Sequence, residues 1–338
     1  MTQYKLLFYI LVCFGMVLIS CSSRERPTYQ KSKALLDTFV TITVIADSEN
    51  TADKAIENAF ATIEKFGDLV NFYSETSEVA AINRNAGVQE VRVSPETLDL
   101  IEKALFVSHI SGGAFDPTIG PEIKLWDFLH KIQPSDDDIK KNLFLVNYKN
   151  IIVDREKSTV YLKKKGMLLD LGGIAKGYAA DLAVESLRQQ GINSGLVAVA
   201  GDIKAFGLKP DQKPWVIGIK NPRQTNTKDE IIARVYLSNE AISTSGDYER
   251  FFIVDGQRFH HLLIPGTGYP AHTCRSVSVI AEQAVMTDAF STALFIIGPE
   301  KGLELAKKME IDAMIIDDKG TIHTTPGLRG KYTVERNH

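Results

Sequence analysis

Cysteine is nearly absent: only Cys13, Cys21 and Cys274 occur in 338 residues. So sparse a set excludes a disulfide-stapled scaffold, and with seven histidines it shows no zinc-ligand spacing. A dominant charge is also missing, since 39 Lys and Arg stand against 42 Asp and Glu for a formal net charge of −3. Without a basic stripe, nothing points to nucleic acid. The apolar run Leu6 to Ile19, at 14 residues, is too short and one-sided for a comfortable membrane span. No internal repeat or low-complexity segment occurs. The remaining composition, 44% hydrophobic and 24% charged, is that of a globular chain able to bury one large core or two.

The N-terminus reads as a targeting segment. Lys5 supplies a thin positive region before the apolar run, which closes on Leu18-Ile19-Ser20-Cys21. That ending resembles a bacterial lipobox, in which residues 1–20 are a signal peptide and Cys21 is lipidated to become the new N-terminus; the alternative is an uncleaved anchor. Acyl chains such as palmitate add roughly 0.8 kcal/mol per buried methylene, so two or three hold a domain at a membrane. The expectation is an exported lipoprotein facing the periplasm or extracytoplasmic side. Ser22 would suit onward sorting in a two-membrane bacterium, and the choice between inner and outer membrane stays open. Residues 21–33 form a polar tether, and residues 34–338 carry the functional domain. With Cys13 removed and Cys21 acylated, Cys274 is left as a packed or incidental thiol, without a disulfide.

Periodicity divides the domain. Thr38 to Ala46 alternates with period two and predicts a strand. Ile56, Phe60, Ile63, Phe66 and Val70 recur at helical spacing behind Thr51, a candidate cap. Ser94-Pro95 opens another helix, with Leu98, Ile101 and Leu105 on one face. From Ile151 onward strands dominate: Ile151–Val153, Thr159–Leu162, Val197–Ala200, Val216–Ile219, Arg234–Leu237, Phe251–Val254 and Ser276–Ala281. Asp255-Gly256 signals a hairpin. Helices interrupt at about 174–190, 285–297 and 299–309. The pattern predicts an α+β fold with an antiparallel bias.

Four segments carry candidate chemistry. In Asp170-Leu171-Gly172-Gly173-Ile174-Ala175-Lys176-Gly177-Tyr178-Ala179-Ala180-Asp181, an apolar strand-like run leads through paired glycines into a helix. Paired glycines let a backbone approach a ligand closely, and the helix start suits an anion. Alone, such a junction is more often a tight turn. Thr287-Asp288-Ala289-Phe290-Ser291-Thr292-Ala293, if helical, sets Asp288, Ser291 and Thr292 at i, i+3 and i+4, a face of hard oxygen donors fit for Mg²⁺. The plainer reading is a helix N-terminus with local hydroxyl bonding. Ser111 to Pro121 is a Gly/Pro-rich turn in which Phe115 can stack on a planar ligand and Asp116 can accept hydroxyl bonds. Ser243 to Tyr248 is rich in small donors, and His260-His261 precede the turn Pro265-Gly266-Thr267-Gly268; a histidine there is a natural base near neutral pH, though most such histidines are structural.

Taken in order, Ser111–Pro121, Asp170–Asp181, Thr244–Tyr248 with His261–Gly268, and Asp288–Thr292 resemble the ApbE-like family, the FAD:protein FMN transferases. Weaker matches are Leu36-Asp37-Thr38 and Phe72-Tyr73-Ser74 with Ser77-Glu78-Val79 and Asn83. The resemblance covers roughly Ala34 to Gly320. It implies a T-fold-like α+β architecture, a largely antiparallel sheet with packed helices around one deep flavin pocket. It also implies Mg²⁺-dependent transfer of FMN from FAD to a threonine or serine hydroxyl of an acceptor flavoprotein, as a phosphoester, with release of AMP. The acceptor expected is an extracytoplasmic protein of the electron-transport subunit type. By motif match, Leu36, Tyr73, Ala114, Phe115, Asp116, Asp170, Lys176 and Leu263 contact FAD. The Gly173 carbonyl, Asp288, Thr292 and Ser291 are the metal ligands, and His261 takes the position of the base.

Three departures stand out. Leu36-Asp37 replaces the usual methionine and frequent glycine, Ile264-Pro265 replaces Asp-Pro after the histidine, and Ala200-Gly201 replaces a glycine pair. Two other readings keep the same pocket: a Mg²⁺-dependent FAD pyrophosphatase releasing FMN and AMP, and a non-enzymatic flavin-binding lipoprotein.

Overall fold

A computed structural model of the chain describes residues 26–223, 230–328, 330 and 332–334. The expected signal segment, Cys21 and the first residues of the tether lie outside the described residues. The frame is an antiparallel sheet of eight strands: β1 (Thr28–Leu35), β2 (Thr38–Ile45), β3 (Gly195–Val199), β4 (Asp202–Phe206), β5 (Ala241–Gly246), β6 (Cys274–Ala281), β7 (Asp312–Asp317) and β8 (Ile322–Thr324). They lie side by side in chain order, every pair antiparallel. Five helices of ten or more residues occur among the described residues: α1 (Glu49–Val70), α2 (Pro95–Ile110), α3 (Ala175–Gln189), α4 (Ala284–Ile297) and α5 (Pro299–Lys308). The expected α+β class and antiparallel bias are both present.

Strand alternation decides what covers each face. Val40, Ile42 and Val44 of β2, Val197 and Val199 of β3, and Val277 and Val279 of β6 join one core with α1, α3 and α4. Their out-of-phase neighbours Ile45, Ala205, Ile242, Ile280 and Met314 meet Trp215, Ile217, Val235 and Leu237 in a second core. That second cover is a three-stranded sheet of Trp215–Lys220, Ile231–Leu237 and Tyr332–Val334. α1 buries Ile56, Phe60, Ile63, Phe66 and Val70, the stripe its spacing predicts. A fully buried isoleucine of this kind, cut to alanine, costs about 2–5 kcal/mol.

Three local expectations need correction. The side chain that caps α1 is Ser48, which accepts the N–H of Thr51; Thr51 stands inside the first turn. Residues Thr28–Lys33, expected as tether, belong to β1, because Gln30 and Ser32 hydrogen-bond across to Thr43 and Thr41 on β2. Lys31 and Lys33 pair with Asp53, Glu57 and Glu64 of α1, which suits an edge strand with one wet face. The apolar run Met167-Leu168-Leu169 forms only a single bridge, Leu168 to Ile119, in place of a strand. Its backbone is held by a side chain instead: Asn83 accepts from the Leu169 N–H (2.6 Å) and donates to the Leu169 carbonyl (3.0 Å).

Two of the sequence departures fall on left-handed backbone. Leu36 and Asp37 have φ of 53° and 55° in the two-residue turn joining β1 to β2. Ala200, with φ of 52°, turns β3 into β4. A side chain at such a position costs roughly 1–2 kcal/mol, which glycine avoids. Alanine to glycine ordinarily destabilises; Ala200→Gly should instead raise stability by about 1 kcal/mol, read as a higher urea midpoint. A lower midpoint would contradict the strain.

Candidate functional site

The site forms where α3 crosses α4, and Gly177 permits the crossing. A Cβ on Gly177 would lie 2.1 Å from the Ala284 carbonyl oxygen and 2.9 Å from Asp288 Cβ. The two helix starts then satisfy one another. Asp288 of α4 accepts the Gly177 N–H at 3.0 Å, one of the free donors in the first turn of α3. Asp181 of α3 accepts the N–H groups of Ala284 (3.0 Å) and Val285 (2.9 Å), while Gln283, at the N-cap of α4, makes no side-chain cap bond. Each helix thus carries the carboxylate that caps the other.

Asp288 is buried, and its charge is shared. Lys176 reaches Asp202 at 2.9 Å and the two Asp288 oxygens at 3.3 and 3.4 Å. Burial and the nearby Asp202 push the Asp288 carboxyl above the usual carboxylate range, against the pull of Lys176 and the Gly177 N–H. Burial opposes the Lys176 ammonium, yet the two carboxylates outweigh it and hold its pKa above the ordinary lysine value. Lys176 keeps 31% of its side chain exposed, so the cation can meet a ligand while both acids stay dry.

The paired glycines lie against the same face. An ideal Cβ on Gly173 would stand 3.1 Å from the Phe115 ring and 3.7 Å from Thr292 Oγ1. Asp170 holds the turn by accepting the Gly172 N–H at 2.8 Å. Its carboxyl is pushed up by burial, against that hydrogen bond and the charge of Arg250. From β5, Ser245 Oγ lies 2.9 Å from Ser291 Oγ and 3.2 Å from Thr292 Oγ1. Ser291 also donates back to the Asp288 carbonyl at 2.8 Å, the local bonding open to a helical serine. The structure therefore brings Gly173, Asp288, Ser291 and Thr292 together across more than a hundred residues of sequence.

The donors suit a hard cation. One carboxylate, the hydroxyls of Ser291 and Thr292, and the neighbouring Gly173 backbone offer only oxygen, which matches Mg²⁺ and leaves positions for phosphate.

The remaining predicted residues sit differently. Asp116 is buried and spent on its own loop: Oδ1 accepts the Thr118 N–H and hydroxyl at 2.8 and 2.6 Å, and Oδ2 accepts the Tyr148 N–H at 2.9 Å. It shapes the turn that presents Ala114 and Phe115. Leu36 packs on Gly67 of α1, whose Cβ would lie 2.6 Å from Leu36 Cδ2. Tyr73 is exposed and lies in the field of Asp170, Arg250 and Asp37. The Leu263 side chain is buried beside Trp126, Phe252 and Phe259 in a third, small cluster. The two marked concavities, of about 350 and 160 Å³, are lined by other residues, among them Asp99, Tyr178 and Lys204 in the larger and Asp247, His260 and Arg258 in the smaller.

The two histidines separate cleanly. His260 is structural, with Nε2 2.6 Å from the Ala271 carbonyl and Nδ1 accepting the Leu262 N–H at 3.3 Å. His261 Nδ1 is buried without a hydrogen-bond partner. Burial, with Arg250 and His260 adding to it, lowers the His261 pKa to about 3, so the ring is neutral at working pH.

Asp202, Asp181, Ser245 and Arg250 escaped the sequence reading as site residues. Asp202 follows the Ala200-Gly201 turn and Asp181 ends the glycine motif, so both lay beside noted signals. Arg250, after Asp247-Tyr248-Glu249, had no local signal at all.

Comparison with known proteins bears on the whole chain. The ApbE family matches residues 36–315. An FAD:protein FMN transferase of Treponema pallidum is 33% identical over 344 residues, 96% of this chain and 94% of that protein. One from Klebsiella pneumoniae is 34% identical over 296 residues, covering 86% and 90%. Among solved structures, the ApbE protein of Thermotoga maritima superposes with a TM-score of 0.84 at 36% identity, covering 90% of this chain and 99% of that one. The Pseudomonas stutzeri flavinyl transferase ApbE gives 0.80 at 28% identity, covering 90% and 97%.

One buried acid next to this site has a testable consequence. Glu122, in the turn after Pro117, is 0% exposed with neither carboxylate oxygen hydrogen-bonded, and burial raises its pKa from 4.5 to about 7. It packs on Gly268, whose Cβ would lie 2.8 Å from Oε2. Because its folded pKa exceeds the unfolded one, native stability falls as pH rises from about 4.5 through about 7. Glu122→Gln, neutral and of the same shape, should raise the urea midpoint at pH 8 and barely change it at pH 4.5. A difference that does not vary with pH would contradict a neutral buried acid.

Proposed function

The chain belongs to the ApbE family and is an FAD:protein FMN transferase, and from that premise we propose that Asp288, Thr292, Ser291 and the Gly173 carbonyl hold the magnesium ion its reaction uses. The observation that carries this reading is the meeting of Gly173 with Thr292 beside the buried Asp288. Bound there with FAD, Mg²⁺ would neutralise the diphosphate and stabilise the leaving AMP. The protein's own residues do the rest. Phe115, Ala114, Leu36 and Tyr73 line the flavin end, Asp116 fixes the loop carrying Phe115, and Asp170 sets the turn that receives the diphosphate. Lys176 adds a cation on the side of the two buried acids.

His261 is the base. Its neutral ring takes the proton from the acceptor threonine or serine hydroxyl, the new oxygen–phosphorus bond forms to the FMN phosphorus, and the bond to the AMP oxygen breaks, AMP keeping the electron pair. The acceptor is an exported flavoprotein of the electron-transport subunit type, and the enzyme reaches it as a lipoprotein anchored by an acylated Cys21. The lipobox-like ending at Cys21 supports the export reading.

Asp288→Ala should lower FMN transfer at least about a hundredfold while some flavin binding survives. Chelation should do the same to the unaltered protein, with activity restored by Mg²⁺. Unchanged transfer in Asp288→Ala, followed by the appearance of a covalently fluorescent acceptor, would move the metal elsewhere. His261→Ala should reduce transfer about 10²–10⁴-fold. Because His261 is neutral above about pH 3, the unaltered enzyme should show no acidic limb centred near pH 6.5, and such a limb lost in His261→Ala would contradict the depressed pKa.

A further inference from the structure

Arg250 stands at the one edge of the site that the preceding roles leave unused. Its backbone carbonyl accepts the His261 N–H at 3.2 Å, the next rung beyond the Phe251 to His260 pair of the Phe251–Val254 and Gln257–His260 hairpin. Residues 250 and 261 are therefore cross-strand neighbours, fixed relative to one another. The Arg250 side chain is exposed, and among the described residues no hydrogen bond or ion pair holds its guanidinium. The neighbouring arginines differ: Arg223 grips Asp247 with both nitrogens, and Arg258 lies 3.9 Å above the Phe251 ring. Arg250 instead lies within electrostatic reach of Asp170, Tyr73 and His261, residues drawn from three separate segments.

We propose that Arg250 binds the diphosphate of FAD, gripping oxygens of the phosphoryl group that is transferred. The place follows from the reaction. The transferred phosphorus must lie between the Gly172-Gly173 turn, which Asp170 holds, and the acceptor hydroxyl, which His261 deprotonates. A cation near both Asp170 and His261 borders that position. A guanidinium without a protein partner is free to make paired, charge-assisted hydrogen bonds to phosphate oxygens. During transfer no proton leaves Arg250; it stabilises charge while the bond to the acceptor oxygen forms and the bond to AMP breaks. This inference rests on the turn at Gly172-Gly173 receiving the diphosphate.

The test compares two ligands on the full chain without metal. Binding of FAD and of riboflavin, which has the ring system but no phosphate, is followed by flavin fluorescence in the unaltered protein, Arg250→Gln and Arg250→Lys. Arg250→Gln should weaken FAD binding about tenfold, the scale of one charge-assisted bond, and leave riboflavin binding unchanged. Arg250→Lys, which keeps the charge but not the paired geometry, should bind FAD with an affinity between those of Arg250→Gln and the unaltered protein. FAD affinity within twofold of the unaltered protein in Arg250→Gln would overturn the proposal. So would an equal loss for riboflavin, which marks a packing role. Absence of FMN transfer by the unaltered protein would strike the reaction itself and leave this comparison of binding standing.

Discussion

Everything at the site depends on the contact between two helix starts at Gly177. Without a Cβ there, α4 can bring Asp288 against the first turn of α3, where an unused N–H awaits a carboxylate. Asp181 returns the same service to α4 through two N–H groups. Any larger side chain at 177 meets the Ala284 carbonyl and pushes the helices apart. A separation of even an ångström would carry Thr292 away from Gly173 and dissolve the oxygen cluster. The glycine motif is thus a packing device first, and the ligand role proposed for it rests on that packing.

The charges obey the same geometry. Two buried carboxylates, Asp202 and Asp288, would repel one another severely if left alone, and Lys176 lies between them. The arrangement leaves both acids buried and 31% of the lysine side chain exposed. His261 remains neutral because burial, with Arg250, His260 and Lys176 adding to it, opposes its protonation. A neutral imidazole beside the proposed diphosphate site could accept a proton without competing for the anion. Asp288 is held by a lysine and His261 is kept uncharged by burial, so the two groups answer to different surroundings.

Much of this was legible in the sequence, and the failures have physical reasons. Strands at 159–162 and 251–254 and helices near 175–189 and 284–297 agree with their patterns, because burial on one face imposes a period. The collinear motifs located Asp170, Gly173, Lys176, Asp288 and Thr292, which the fold brings to one place. Asp116 was read as a ligand group, and the structure adds what a sequence cannot show, the two N–H groups and the hydroxyl that its carboxylate also accepts. Thr28–Lys33 looked like tether because an edge strand needs only one apolar face, and its pairing with β2 is a tertiary fact. Asp202 and Arg250 were unreadable for a related reason: an isolated charge has no period, and only the sheet order places it beside a partner.

The most direct measurement is a crystal of the chain grown with FAD and Mn²⁺, which substitutes for Mg²⁺ in oxygen sites and scatters anomalously. The account predicts one manganese peak in coordination distance, about 2.1–2.3 Å, of Asp288 and the Gly173 carbonyl, with the diphosphate on its open side. A manganese ion bound to the diphosphate but clear of both residues would contradict it.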